Sequence, residues 1–209
     1  MRAIGLVNFK VPSDVRSLLL GSRIADLYLQ PHIGGDIALL TGIAKAVLES
    51  GAHDERFLTD HTDDADALRA HIAGHSWESL VQASGVSEAQ MREAATTYAA
   101  SQRTIFAWTM GITHHAHGVE NVQAIANLAL LRAMVGRPGA GLLPLRGHSN
   151  VQGIGSMGVT PALKDQVCRA IEDRFNVRLP TTPGLDTLGC VERAGSGAMD
   201  VALHLGGNL

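Results

Sequence analysis

Aromatic side chains are scarce in this chain of 209 residues: Phe, Trp and Tyr together make up 4%. Any core must therefore be aliphatic. The 45% of hydrophobic residues and a mean hydropathy of +0.10 suffice for one and exclude disorder. Cysteine is nearly absent as well. Cys168 and Cys190 are too few for a disulfide framework or a four-cysteine cluster, and they read as small buried residues in a reducing compartment. No apolar run is long enough to cross a bilayer. The short apolar patch near the start is interrupted by Lys10, so no signal peptide is expected, and the location is expected to be cytoplasmic. Basic charge is not in excess: 17 Lys and Arg face 20 Asp and Glu, for a net charge of -3. That balance excludes a polybasic footprint, so neither nucleic acid nor membrane insertion is expected. Acidic residues are missing locally, with no Asp or Glu between Glu120 and Asp165.

What is present in quantity is glycine, 23 residues, and histidine, 10 residues. Nine of the glycines fall from Gly111 to Gly158, a density that implies irregular backbone able to approach a ligand closely. Pro12-Ser13-Asp14 can cap a short helix reaching Leu20, and an apolar run at 25–29 reads as a buried strand. Gly34-Gly35-Asp36 opens an apolar helix over 37–48 that Gly51 terminates. Residues 54–101 read as helical, with a capping box of Ser87 and Gln90 ahead of a helix at 88–100. A β-rich run at 104–110, a glycine and a helix at 119–135 form a strand–loop–helix unit. A long glycine-rich loop at 136–161 follows, then helices at 163–175 and from 185, and a last strand over 199–205. The expected fold is one α/β domain over 1–209, a mainly parallel sheet with helices on both faces.

Four places carry residues suited to chemistry. His114, His115 and His117 follow the 104–110 strand, but no Asp, Glu or Cys nearby completes a metal-ligand set, so polar loop histidines are the simpler reading. The run Arg146-Gly147-His148-Ser149-Asn150-Val151-Gln152-Gly153 gathers a guanidinium, an imidazole and two amides without a carboxylate, and points to an anionic ligand. Gly34-Gly35-Asp36 is either a plain helix cap or a place where backbone amides meet phosphate. Gly206-Gly207-Asn208 follows the last expected strand. Ligands in such sheets bind outside the carboxyl ends of the strands, where three of these four places are expected to lie.

Several of these segments resemble the molybdopterin oxidoreductases, in the formate dehydrogenase alpha-subunit-like (YdeP-like) branch. The resemblance is carried by Trp108-Thr109-Met110-Gly111-Ile112-Thr113-His114, by 121–131, by Gly136-Arg137-Pro138-Gly139-Ala140-Gly141 and by the Arg146–Gly153 run. Ile24 to Leu29 and Gly34 to Leu40 add to it, so it covers nearly the whole chain in order. It implies a bis-molybdopterin guanine dinucleotide cofactor with molybdenum or tungsten, passing electrons to a 4Fe-4S cluster and on to an electron-transfer partner. Carried over by residue, Gly34, Gly35 and Asp36 contact one dinucleotide, and Met110, Gly111 and His114 lie against the cofactor, many relatives having Gln at the place of His114. Asn208 begins a further dinucleotide loop. Arg146 matches the arginine beside the metal in formate dehydrogenases, where it orients a small anionic substrate such as formate. His148 falls where the H-type enzymes have Gln, and joins Arg146 as a catalytic candidate.

The family's iron–sulfur cysteines, its Cys or selenocysteine metal ligand and its cofactor-capping domain have no counterpart in this sequence, which therefore supplies no metal ligand. The chain is expected to be part of a longer subunit, with the remaining domains as partners, and to be inactive alone. The alternative is a non-catalytic nucleotide-binding or scaffold relic of the same fold. A histidine-based metal protein, resting on His114, His115 and His117 alone, is the third possibility.

Overall fold

Five of the described helix starts follow from side-chain oxygens that accept the unpaired amides of a first turn. Asp14 Oδ1 accepts from the N–H groups of Arg16 at 2.9 Å and Ser17 at 3.2 Å, starting α1 (Val15–Leu20). Asp54 caps α3 (Glu55–His61) through Phe57 N–H at 2.9 Å, and Ser76 caps α5 (Trp77–Ser84) through Ser79 N–H at 3.1 Å. Ser87 and Gln90 form the expected capping box on α6 (Glu88–Ala100). The computed structural model describes residues 9–158, 160 and 163–203. By internal contacts it divides into two compact units, Met1–Ser149 and Asn150–Leu209.

In the first unit the central element is α2 (Asp36–Glu49), which packs against α4 (Ala65–Ala73), α5, α6 and α8 (Gly118–Leu130). It presents small residues to its neighbours, burying Thr41, Gly42, Ala44, Ala46 and Val47. Gly42 is required by close approach, because a Cβ there would collide with the Sδ of the fully buried Met91 on α6. Val47, Leu58, Ile72, Leu128, Leu131 and Met134 form one continuous core. Arg132 closes this unit from the side. Its guanidinium donates to the carbonyls of Ala52 (3.0 Å), Ala99 (2.8 Å), Ser101 (2.9 Å) and Tyr98, so its charge sits on the C-terminal carbonyls of α6.

Beyond α6 the chain enters β1 (Ile105–Trp108), then a single turn of helix α7 (Met110–Thr113), α8 and β2 (Gly141–Pro144). The two strands pair in parallel, Ile105 opposite Gly141 and Trp108 opposite Pro144. The α/β class and the parallel pairing thus hold, in a helix-rich chain with a small sheet. Phe106 faces the helices, its ring edge-on to Tyr98 at 5.5 Å. The opposite face, where a second helix layer is expected, is exposed among the described residues at Ile105, Ala107 and Leu143.

Four expectations need correction. The stretch 25–29 is irregular, because the Arg23 side chain donates to the carbonyls of Ala25 and Asp26, which a strand ladder would otherwise hold. The strand at 104–110 stops at Trp108, and Met110 already begins α7. The 136–161 loop contains β2 and α9 (Val151–Ser156), the former held to β1 by Gly141 N–H to Thr104 (3.0 Å) and Leu145 N–H to Trp108 (2.8 Å). Residues 200–203 carry no regular secondary structure, with Val201 and Leu203 exposed, while the remainder of that expected strand and Asn208 lie outside the described residues.

The second unit consists of α9, α10 (Asp165–Phe175) and α11 (Thr187–Gly195). α10 ends at Asn176 in the left-handed region, and α11 is capped by Asp186 through Gly189 N–H at 2.8 Å. None of its described residues is buried, and Phe175, Leu188, Val191, Val201 and Leu203 are all exposed. Among the described residues no helix is long and apolar enough to cross a membrane.

The buried Tyr98 hydroxyl donates to Leu128 O at 2.9 Å, tying α6 to α8. Burial raises its pKa above the ordinary range, against the pull of the nearby Arg132 cation. The folded state therefore keeps the phenol protonated where the unfolded chain releases its proton. Stability from this group is full below pH ~10 and declines above it. Tyr98→Phe is expected to cost about 1 kcal/mol at pH 7, and the gap to wild type should narrow as pH rises beyond ~10. Urea denaturation of both proteins across that pH range measures it.

Candidate functional site

Parallel pairing sends β1 and β2 to the same end of the sheet, so the segments that follow them are neighbours. The first runs from Met110 to His117 and the second from Leu145 to Ser149. A Cβ on Gly147 would collide with Met110 Sδ, so the methionine side chain lies directly on the Gly147 backbone. Arg146 and His148 flank that contact, and both are exposed. Met110 thus lies on the backbone between Arg146 and His148, the chain neighbours of Gly147. Gly111 faces open space, since a Cβ on it would meet no atom within 4 Å. His114 ends α7, its N–H on Met110 O at 2.7 Å, and its ring is exposed.

The Gly34-Gly35-Asp36 segment arrives from another direction. Gly34 adopts φ +83°, a conformation that glycine favours, and Gly35 is buried. A Cβ on Gly35 would stand 2.9 Å from Ala83 O and 3.0 Å from Ser84 Cα, so this residue lets the start of α2 touch the end of α5. The same junction is tied by His32 N–H to Ser84 O at 2.7 Å, with the His32 ring lying on Gly85. Asp36 is half-buried in the first turn of α2, and Gly35, the N-cap, offers no side chain to the amides that follow. Gly35 thus has a packing role that the plain helix-cap reading understates. His32 went unnoticed in the sequence; the signal available was Gly85, a glycine closing α5 where an aromatic ring needs room.

Among the described residues no group of three or more His, Cys, Asp or Glu is arranged to hold a metal ion. Instead His115 Nδ1 accepts the N–H of His117 at 3.0 Å, and the two rings lie 5.8 Å apart. The segment is anchored to α8 by Asn121, a fully buried side chain whose Nδ2 donates to Ile112 O at 3.0 Å. In the second unit, Gly153, Gly155 and Gly158 have the spacing of a dinucleotide fingerprint. Gly153 and Gly155, however, lie inside α9, whereas the fingerprint requires a strand before the glycines and a helix opening at them. Cys168 and Cys190 are free thiols, each half-buried.

The Met110–Gly147 contact generates a direct test. Gly147→Ala should displace the Met110 side chain and leave the core methionines Met91 and Met134 in place. In a spectrum of 13C-methyl-labelled methionine, the Met110 signal is expected to move while those of Met91 and Met134 stay fixed.

Comparison with known proteins supplies the context for this geometry. A family model described as molybdopterin oxidoreductase matches residues 9–209. An uncharacterized oxidoreductase of Mycobacterium tuberculosis (strain H37Rv) is 36% identical over 98% of this chain and 27% of its own length. Protein YdeP of Escherichia coli (strain K12) is also 36% identical, over 98% of this chain and 28% of its own. Formate dehydrogenase H of Escherichia coli is 36% identical over 67% of this chain and 20% of its own length. The chain therefore spans about a quarter of the length of the first two relatives. Among solved structures, acetylene hydratase from Pelobacter acetylenicus shares the fold over 56% of this chain and 16% of its own, with a TM-score of 0.52 at 18% identity. Two loops converging at the ends of parallel strands, and a family match that runs through both, lead to one conclusion: this chain belongs to the molybdopterin oxidoreductase family.

Proposed function

We propose that the chain is the dinucleotide-binding domain of a longer oxidoreductase subunit that carries bis-molybdopterin guanine dinucleotide and oxidises a small anion, formate being the leading candidate. The observation that carries this reading is the meeting of Met110, Arg146 and His148 around Gly147 at the carboxyl ends of β1 and β2. Similarity to formate dehydrogenase H over 67% of the chain supports it further. The residues present suit such a group. Gly111 leaves its backbone open to a ligand, and the 121–164 stretch contributes no carboxylate to oppose anionic phosphates and dithiolenes.

In this reading Gly34, Gly35 and Asp36 meet one dinucleotide, Met110, Gly111 and His114 lie along the cofactor, and Asn208 belongs to a further dinucleotide loop. When bound, such a molybdenum or tungsten group would supply two-electron redox chemistry, with a 4Fe-4S cluster and an electron-transfer partner in the rest of the assembly as the acceptors. The chain's own part is to bind and orient. Arg146 offers a permanently charged, planar fork that grips a carboxylate with two hydrogen bonds and offsets repulsion from the anionic cofactor. His148, two residues on, accepts at a ring nitrogen the proton that formate oxidation releases. The free thiols of Cys168 and Cys190 suit a reducing compartment, the cytoplasm.

Arg146→Lys keeps the charge and loses the fork. In the full-length subunit it is expected to lower turnover with formate by about tenfold or more, as expected from losing one charge-assisted hydrogen bond worth roughly 1.5–3 kcal/mol. Molybdenum and guanine nucleotide per polypeptide should stay at wild-type values, and His148→Gln should be milder. A fall in cofactor content in proportion to activity would assign Arg146 to the cofactor instead of the substrate.

A further inference from the structure

Two loops of this chain meet through a single side chain. His115 lies three residues before α8, and its Nδ1 accepts the His117 N–H at 3.0 Å. That bond requires an unprotonated Nδ1, so in the neutral ring the proton sits on Nε2. The Nε2 side of the ring lies against Gly34: a Cβ there would stand 3.4 Å from Nε2 and 3.8 Å from Cε1. His115 is half-buried, and the segment that carries it is closed on itself by Gly118 N–H to His115 O at 3.0 Å and pinned to α8 by Asn121. The Gly34 loop is also seated on α5 through His32 and Gly35. The loop therefore touches both α5 and the His115 ring.

We propose that His115 is a positioning residue that fixes the backbone at Gly34, so that the Gly34–Asp36 loop and the segment following β1 are held in register as one surface. Met110 joins that same segment to Gly147, which extends the link from the glycine loop to the Arg146 loop. The consequence for function rests on the reading that Gly34–Asp36 meets a dinucleotide. Under it, His115 sets the geometry of nucleotide binding without touching the nucleotide.

Asparagine separates the two contacts of this ring. In His115→Asn the side-chain oxygen can still accept the amide two residues on, the ordinary Asx turn, but the side chain is too short to reach Gly34. His115→Ala loses both. Hydrogen exchange on the chain, read at single amides, tests the proposal. The reporters are the hydrogen-bonded amides of His32 and Gly35 in the glycine loop, His117 and Gly118 in the turn, and Gly141 and Leu145 in the sheet. In His115→Asn, exchange at His32 and Gly35 is expected to rise about tenfold, with the turn and sheet amides unchanged. In His115→Ala, His117 should exchange faster as well. Unchanged exchange at His32 and Gly35 in both variants would overturn the proposal, and so would an equal rise at Gly141 and Leu145, which reports general destabilisation. Guanine nucleotide released from the full-length subunit separates the dependent reading. Loosened loop amides with a wild-type guanine content would leave the positioning role standing and defeat the dinucleotide assignment of Gly34–Asp36.

Discussion

Gly35 occupies a place that no other residue can fill. Ala83 O, Ser84 Cα and His32 O crowd the volume where a Cβ would sit, at 2.9, 3.0 and 3.1 Å. This one close approach fixes where α2 begins against the end of α5, and α2 is the helix on which α4, α5, α6 and α8 all pack. It also fixes the preceding loop, and with it the surface that Gly34 presents to His115. A missing side chain at one helix start therefore determines both the centre of the helical layer and the backbone that meets His115. Any side chain at 35 must push the two helices apart, and the closely packed interface around Gly42 and Met91 gives α2 little freedom to follow.

The acid-free stretch from 121 to 164 acquires a more specific meaning once its cations are traced. Arg132 is bound by four carbonyls around the end of α6, and Arg137 donates to Gln102 O at 3.0 Å. Both serve the backbone, taking the partial negative charge of carbonyl groups where carboxylates are lacking. Arg146 differs in its setting: it lies at the carboxyl end of a strand, beside a glycine overlaid by methionine.

How much was legible follows from the range of the interactions involved. Asp14, Gly51 and the Ser87–Gln90 pair act within one helical turn, and each could be read directly from the residues. The strand at 105–108 was legible because β-branched and aromatic residues concentrate there. Its partner was not, since Gly141-Leu142-Leu143-Pro144 is framed by glycine and proline and becomes a strand only through β1. The apolar run at 25–29 misled for the converse reason: its carbonyls are taken by Arg23, a contact that hydrophobic patterning does not register. For the site, Arg146, His148 and Met110 could be named from the sequence, but Gly147 as their meeting point and Gly34 as the neighbour of His115 depend on contacts between distant segments.

The parallel pairing of β1 and β2 carries a consequence for the order in which this chain acquires structure. The helices α2 to α6 are consecutive and meet close neighbours, whereas the strands can pair only after α7 and α8 have bridged them. Local contacts form early and such long closures late, so the two segments that end in Met110 and Arg146 are set among the last parts of the first unit. A ligand holding them would act on that final step and shift the folding equilibrium of the sheet by mass action. Cofactor insertion and completion of the fold would then be two descriptions of a single event, with the helical layer already in place as the template.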